Sequence, residues 1–189
     1  DKALNLVRDL SPEDCKVKIG NELFISSGSE AVKQLNKLGF DIFLDLKFHD
    51  IPNTVGRSIR AAAELGIWMI NVHSSGGSGM LKEAFNSIKH MKHRPLLVGV
   101  TLLTSQDSTS LTELGLSSNI MEHVLKLARL SKKNGLDGVV CSAREISTLR
   151  KEMGDDFILV TPGIRSNLKL SQDQKRTATV QEAIENGSN

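Results

Sequence analysis

Short apolar segments alternate with longer amphipathic segments along almost the whole chain, and this alternation limits the possible folds more than any other feature. The apolar segments are rich in Val, Ile and Leu, as expected for strands that are covered on both faces. Repeated strand–helix units predict an α/β protein with a parallel sheet or barrel. The predicted strands are Lys16–Gly20, Phe40–Lys47, Ile67–His73, Leu96–Leu103, Asp137–Cys141 and Phe157–Thr161. The predicted helices between them are Glu30–Leu38, Thr54–Leu65, Gly79–Lys89, Asn119–Asn134 and Glu145–Met153.

Each end of the sequence matches half of such a unit. Lys2–Leu10 predicts a helix with no strand before it, and Thr179–Glu185 predicts a helix with no strand after it. One more strand at each end would raise the count from about six to about eight, the number in a (β/α)8 TIM barrel. We therefore expect residues 1–189 to form a single TIM-barrel domain that lacks its first and last strands in this chain. A doubly wound sheet is the alternative fold.

Composition argues against several classes of protein. The 24 basic and 22 acidic residues give a formal net charge of +2, which is too balanced to predict a nucleic-acid partner. No segment approaches the roughly 18 consecutive apolar residues of a membrane span, and the first residues lack a signal-peptide pattern, so we expect no membrane partner and a cytoplasmic location. The two cysteines, Cys15 and Cys141, lack metal-ligand spacing and are predicted to be buried thiols.

Three charged residues stand at the end of the second predicted strand. Because side chains alternate along a strand, Asp45 and Lys47 should project from one face while Leu44 and Leu46 pack on the other. Asp50 follows just beyond the strand. Isolated charges are costly to bury, so a structural ion pair is one interpretation of Asp45 and Lys47. A third charge in the same turn favours a catalytic role.

Further polar residues stand near the carboxyl ends of the other predicted strands. In a (β/α)8 barrel the active site lies at these strand ends and in the loops that follow them. The loop at residues 166–177 is the longest segment without predicted structure, and such loops are often functional. The polar strand-end residues are Lys18, Asn71, His73, Thr101, Thr104 and Arg165.

Five motifs together resemble one known family. The segment Asp45–Thr54, with the sequence DLKFHDIPNT, closely resembles the signature of the orotidine 5'-phosphate decarboxylases. The other similar segments follow in the family's order, which makes the resemblance specific. They are Leu65–His73 with Gly76 and Gly77, Val100–Ser105, Gly135–Ser142 and Val160–Arg165.

This resemblance implies a decarboxylase of pyrimidine synthesis that needs neither a metal nor a cofactor. It would convert orotidine 5'-phosphate to uridine 5'-phosphate and CO2. Lys47 matches the catalytic lysine that protonates C6 of the pyrimidine, Asp45 matches the carboxylate near the departing group, and Lys18 matches a lysine of the same charged network. A lysine between carboxylates is held as an ammonium group, which suits a proton donor that also stabilises a carbanion.

The resemblance also implies a homodimer with sites shared across the interface. Asp50 and Thr54 match residues that reach the neighbouring subunit's site. The resemblance also implies that Asp50 is a catalytic residue. Thr104 matches a residue that contacts the pyrimidine, while Arg165 and Gln174 match phosphate contacts. The full set of implied substrate-binding residues is Lys18, Asp45, Lys47, Asp50, Ile51, Thr54, Thr104, Pro162, Arg165 and Gln174.

Two segments of the family pattern have no counterpart in this sequence. A strand ending in Ala-Leu-Asp, whose aspartate holds the ribose, would precede Asp1, and a strand ending in Gly-Arg, which contacts the phosphate, would follow Asn189. We therefore expect that the sequence is a fragment that binds the nucleotide weakly and turns over poorly.

Two other functions stay open at this point. A related barrel shares the Asp-x-Lys-x-x-Asp pattern but uses Mg²⁺ as a sugar-phosphate decarboxylase or aldolase. The Pro-Asn-Thr continuation after Asp50 and the segment Thr161–Arg165 favour the pyrimidine enzyme instead. The second alternative is a noncatalytic nucleotide-binding or dimerisation module.

Overall fold

A single parallel sheet forms the centre of the protein. The computed structural model describes residues 2–165 and 178–189. Within these ranges six strands are present, and each overlaps one of the six predicted from the sequence. They are β1 Val17–Gly20, β2 Ile42–Phe48, β3 Met69–His73, β4 Leu96–Val100, β5 Gly138–Val140 and β6 Ile158–Val160.

The strands are ordered in the sheet as they are in the chain. Each strand pairs in parallel with the next, from β1 through to β6. A doubly wound sheet would instead reverse its strand order at a switch point. The described residues therefore do not form the doubly wound alternative. They form an α/β fold with a six-stranded parallel sheet, not a closed eight-stranded barrel.

Helices occupy the connections between the strands. All of the predicted helices are present in part, and two additional short ones, Asn21–Ser27 and Ser108–Glu113, were not predicted. Among the helices of the described residues, none combines the length and hydropathy that crossing a membrane would require. The helices are α1 Lys2–Val7, α2 Asn21–Ser27, α3 Ser29–Lys37, α4 Pro52–Ala63, α5 Gly77–Ile88, α6 Ser108–Glu113, α7 Ile120–Lys133, α8 Ile146–Met153 and α9 Val180–Glu185, with 3₁₀ turns at Ser74–Gly76 and Ala143–Glu145.

Alternation of side chains along the strands separates two apolar layers. Leu44 and Ile70 are fully buried and belong to the same cluster as Ile59 of α4, so one face of the sheet packs against helices. Met69 and Val98 belong to a separate cluster of strand residues. Because successive residues of a strand point to opposite faces, this second cluster lies on the other face of the sheet.

The two cysteines lie in different environments. Cys141 is buried, as predicted, whereas Cys15 is only partly buried, so the prediction of a buried thiol is wrong in degree for Cys15. Its Sγ lies 3.6 Å from the carbonyl oxygen of Ser11. The two residues are not joined by a disulfide.

Candidate active site

A cavity of about 540 Å³ opens where the carboxyl ends of the strands meet. Five of the residues predicted from the sequence line it, and they come from four different parts of the sheet edge. The apolar part of its wall is formed by side chains from β2, β4, β5 and β6. The five predicted residues are Lys18, Asp45, Lys47, Thr104 and Pro162, and the apolar wall includes Phe43, Val100, Val140 and Val160.

A somewhat larger cleft of about 650 Å³ lies between α1, α2 and α3. Glu30 is the one charged residue that lines it among the described residues. Binding sites usually combine an apolar wall with convergent polar groups and perturbed titratable residues, and only the smaller cavity has all three. The cavity at the strand ends is therefore the stronger candidate.

Asp45 stands at the centre of a charge cluster in this cavity. Lys47 Nζ lies 2.6 Å from its Oδ1, and Lys18 Nζ lies 3.1 Å from its Oδ2. The side chain of Asp45 is 12% exposed, while that of Lys47 is 29% exposed. Two ammonium groups thus share one carboxylate. A purely structural pair would be neutral, so the second ammonium favours a site for an anionic ligand over the simple ion pair.

The surroundings of Asp45 favour its charged form. Burial alone would raise the pKa of this carboxyl group. Hydrogen bonds from Lys47 and Asn71, with the positive charges of Lys47 and Lys18, outweigh that effect and lower its pKa below the ordinary value. Asp45 is therefore a fixed negative charge near neutral pH.

The backbone of Lys47 departs from regular strand geometry. Its φ angle is +52°, and among the described residues it is the only one other than glycine with a positive φ. A left-handed conformation costs a residue with a Cβ about 1–2 kcal/mol, and such strain tends to occur at functional sites. The surrounding structure must therefore hold Lys47 in place.

The strain coincides with an irregularity in strand pairing. Leu44 pairs with Ile70, but Phe48 pairs with Val72, so β2 uses two more residues than β3 over the same span. The pairing is irregular, but the predicted facing is confirmed, because Asp45 and Lys47 line the cavity while Leu44 and Leu46 pack in the apolar cluster on the other face. Irregular pairing is common next to active sites, and here it accompanies the 2.6 Å contact between Lys47 Nζ and Asp45 Oδ1.

Asn71 occupies the place where the pairing is irregular. Its side chain is fully buried on β3. Its Oδ1 accepts a hydrogen bond from the backbone N–H of Lys47 at 2.8 Å, and its Nδ2 donates to Asp45 Oδ1 at 2.6 Å. The sequence identified Asn71 as a strand-end polar residue but gave it no role. An amide side chain between the apolar residues Ile70 and Val72 was the signal available.

His73 ends the same strand beside the charge cluster. Its ring centroid lies 5.5 Å from that of His49. Burial lowers the pKa of His73, and the nearby His49 and Lys47 lower it further, while Asp45 opposes the shift. The neutral imidazole is thus favoured at this position.

The threonines after β4 differ in their contacts. Thr101 Oγ1 donates to the carbonyl oxygen of Val140 at 2.9 Å, which ties β4 to β5. Thr104 is buried and lines the cavity. Of the two, only Thr104 lines the cavity, and its contact with the pyrimidine stays a prediction.

The residues after β2 lie outside the cavity wall. Asp50 is exposed, and its Oδ1 accepts a hydrogen bond from the N–H of Ile51 at 2.6 Å. Ile51 is 67% exposed, and Thr54 is exposed in the first turn of α4. The structure does not bring these three residues together with Lys47 within one chain. Their assignment to a partner's site stays a prediction.

The predicted phosphate contacts are not part of the described cavity wall. Arg165 is partly buried; its side chain donates to the carbonyl oxygen of Ile164 at 2.9 Å, and its backbone N–H bonds to Ala178. Gln174 and the predicted loop at 166–177 lie outside the described residues. Their roles also stay predictions.

Comparison with known proteins gives one consistent result. A family model described as "Orotidine 5'-phosphate decarboxylase / HUMPS family" matches residues 1–189. A protein of Actinobacillus succinogenes named orotidine 5'-phosphate decarboxylase is 48% identical over 188 residues, which cover 99% of this chain and 81% of the relative. One of the same name from Hydrogenovibrio crunogenus is 51% identical over 98% of this chain and 79% of its own length.

Solved structures show the same relationship. The crystal structure of orotidine 5'-phosphate decarboxylase from Lactobacillus acidophilus is similar to this chain with a TM-score of 0.86 and 42% identity. The similarity covers 100% of this chain and 82% of that one. An uncharacterized conserved protein from Geobacillus kaustophilus has a TM-score of 0.80 at 36% identity, over 92% of this chain and 76% of its own.

Proposed function

This chain belongs to the orotidine 5'-phosphate decarboxylase / HUMPS family, and from that premise we propose that it converts orotidine 5'-phosphate to uridine 5'-phosphate and CO2. It is then a carbon–carbon lyase of pyrimidine synthesis that works without a cofactor. The observation that carries this proposal is the cluster of Lys18, Asp45 and Lys47 in the cavity at the strand ends. Relatives about half identical in sequence carry the same enzyme name.

Lys47 is the proton donor of the proposed reaction. When the bond between C6 and the carboxylate breaks, CO2 leaves and the electron pair stays on C6. The ammonium group of Lys47 stabilises this developing charge and then donates a proton to C6, which leaves a neutral amine that solvent reprotonates. The bond to Asp45 at 2.6 Å holds the ammonium in a fixed place. Preorganisation of this kind requires little rearrangement during the reaction.

Asp45 and Lys18 shape the charge around the reacting carbon. The lowered pKa of Asp45 keeps it as a carboxylate, whose negative charge lies close to where a substrate carboxylate would leave. Lys18 holds the second oxygen of Asp45. This leaves the cluster with one more positive than negative charge, which suits a substrate that carries both a carboxylate and a phosphate.

The remaining cavity residues fit the rest of the nucleotide. The apolar side chains of Phe43 and Val100 offer a surface for the pyrimidine ring, with Thr104 and Pro162 beside it. We assign the phosphate to Arg165 and Gln174. Binding energy from a distant phosphate can orient the reacting carbon and so raise the rate.

The wider architecture that we propose is an incomplete (β/α)8 TIM barrel, which forms one domain over residues 1–189 and has six strands among the described residues. The sequential strand order and the TM-score of 0.86 to a decarboxylase structure support this fold. We propose a cytoplasmic homodimer in which Asp50 and Thr54 serve the partner's site. The exposure of both residues, and of the large apolar side chain of Ile51 between them, supports burial by a second copy.

The Mg²⁺-dependent sugar-phosphate reaction has less support. Magnesium prefers carboxylate oxygens and water as ligands. Both oxygens of Asp45 already accept bonds from Lys47, Asn71 or Lys18. Within residues 2–165 and 178–189, no three His, Cys, Asp or Glu side chains are grouped to hold a metal ion.

The first test is turnover by the purified protein. Orotidine 5'-phosphate is supplied with and without a chelator such as EDTA, and formation of uridine 5'-phosphate is followed by chromatography. We expect equal turnover in both arms. A protein that leaves this substrate unchanged, or that acts only on a sugar phosphate and only with Mg²⁺, would contradict the proposal.

A further inference from the structure

The backbone N–H of Lys47 has lost its regular place in the sheet. In a regular parallel pair, the residues after Leu44 would continue in step with those after Ile70, but the register shifts between Leu44 and Phe48. The N–H of Lys47 is satisfied instead by the side chain of Asn71, at 2.8 Å. Buried or half-buried backbone groups nearly always find a partner, and here that partner is a side chain in place of a carbonyl group.

The amide nitrogen of Asn71 binds the carboxylate that holds the ammonium group of Lys47. Asn71 Nδ2 donates to Asp45 Oδ1 at 2.6 Å, and this same oxygen accepts from Lys47 Nζ at 2.6 Å. The backbone N–H can only donate and the carboxylate can only accept, so these two partners fix which way the amide points. One side chain therefore contacts the backbone of Lys47 and the carboxylate that binds its ammonium group.

The position of Asn71 makes it a rigid connection. Its side chain is fully buried, and β3 pairs with β4 in regular register through Asn71 and its neighbours. Lys47 is half-buried at the cavity and has a strained backbone. A fixed group on a regular strand thus holds a strained group on an irregular one.

We infer that Asn71 is a positioning residue that holds Lys47 in its left-handed conformation and directs its ammonium group into the cavity. This inference rests on the proposed decarboxylation and adds a residue to it. Without the amide, the N–H of Lys47 and one oxygen of Asp45 each lose a partner. Lys47 can then relax toward an ordinary strand conformation, which moves its Nζ away from the reacting carbon.

The test compares Asn71→Ala and Asn71→Asp with the wild-type protein. We expect Asn71→Ala to lower kcat about 100-fold with little change in KM, since small misplacements of a catalytic group have effects of this size. Ser131→Ala is the matched control, because Ser131 is also fully buried and bonded to Ser74 at 2.8 Å but lies outside the cavity. It should lower the melting temperature and leave kcat unchanged.

Asn71→Asp gives a readout that a structural role would not produce. Near neutral pH the new carboxylate repels Asp45 and cannot donate to it. At lower pH the introduced carboxyl group is protonated, so it can donate to Asp45 while still accepting from Lys47. Neighbouring carboxyl groups share a proton more readily than isolated ones. The kcat of Asn71→Asp relative to wild type should therefore rise as the pH falls, while that of Asn71→Ala stays flat.

The results separate this inference from the proposed function. If the wild-type protein decarboxylates the substrate and Asn71→Ala keeps kcat within about twofold, the inference is wrong and the function stands. The same follows if the two variants show the same dependence on pH. If Asn71→Ala does not fold, Asn71→Asp decides the matter alone, because it keeps the size of the side chain. An inactive wild-type protein contradicts the function itself.

Discussion

Asp45 binds the ammonium groups of Lys18 and Lys47 through its two oxygens, and the amide of Asn71 binds both Asp45 and the backbone of Lys47. The sequence predicted a site at Lys18, Asp45 and Lys47 because charged residues are unusual at the ends of apolar strands. The three side chains do lie together. The positive φ of Lys47 could not be predicted, since no glycine marks it. It depends on Asn71, which is distant in sequence and becomes a neighbour only when β2 and β3 pair.

His73 makes a prediction about stability and pH. Its pKa is lowered in the folded protein, chiefly by burial and then by the charges of His49 and Lys47. The unfolded chain, with an ordinary histidine pKa of about 6.5, therefore binds a proton at a pH where the folded protein does not. The contribution of His73 to the free energy of unfolding is therefore complete above a pH of about 6.5, and it is lost as the pH falls from there toward the folded-state pKa.

Urea unfolding of wild type and His73→Gln at about pH 7.5 and about pH 5.5 checks this prediction. The wild-type protein should lose more free energy of unfolding between the two conditions than the variant loses. Asp45 does not contribute in this range, because its lowered pKa moves its effect below the ordinary value of 3.8. Equal losses in the two proteins would show that His73 is not the cause.

At the scale of elements, the alternation of apolar and amphipathic segments was enough to predict all six strands. It was not enough for α2, which has seven residues, begins directly after β1 and has no side-chain cap at Gly20. Helix α6 has six residues, of which Leu111 alone is apolar, so no apolar periodicity marks it. Segments this short take their structure from packing and from neighbouring elements more than from their own sequence.

Two glycines should respond to alanine in opposite ways. A Cβ added to Gly138 in β5 would lie 2.2 Å from the backbone oxygen of Ile158, which cannot move without separating β5 from β6. We expect Gly138→Ala to lower the free energy of unfolding by about 1–3 kcal/mol. In α5, a Cβ on Gly79 would meet Pro52 at an ordinary 3.7 Å. Gly79→Ala should raise the free energy of unfolding by about 0.5–1 kcal/mol.

Chemical denaturation of both variants beside wild type measures the two effects. Both variants gain the same methyl group, so the difference between their free energies of unfolding reports the different surroundings of the two glycines. If Gly138→Ala were as stable as Gly79→Ala, the close pairing of β5 with β6 described above would be wrong.

Across the whole molecule, the amino and carboxyl ends of the strands carry similar lysine–aspartate ion pairs in different surroundings. At the amino ends of the strands Lys16 pairs with Asp41, and the ammonium group of Lys16 lies 4.6 Å from the ring centroid of Trp68. At the carboxyl ends of the strands Lys47 pairs with Asp45 inside the cavity. Sequence alone could predict which edge is active, because parallel strands place their carboxyl ends together. It could not predict the size of the cavity, which depends on how all the strands pack.

The proposed reaction depends most on the position of Lys47, and turnover of orotidine 5'-phosphate by Lys47→Ala beside Lys16→Ala tests it. Both changes remove a lysine that is paired with an aspartate near a strand end. We predict that Lys47→Ala loses at least about 10³-fold in kcat while retaining its circular dichroism spectrum. Lys16→Ala, whose pair is about half exposed, should keep wild-type turnover. Near-normal turnover by Lys47→Ala, or an equal loss in both variants, would show that Lys47 is not the proton donor.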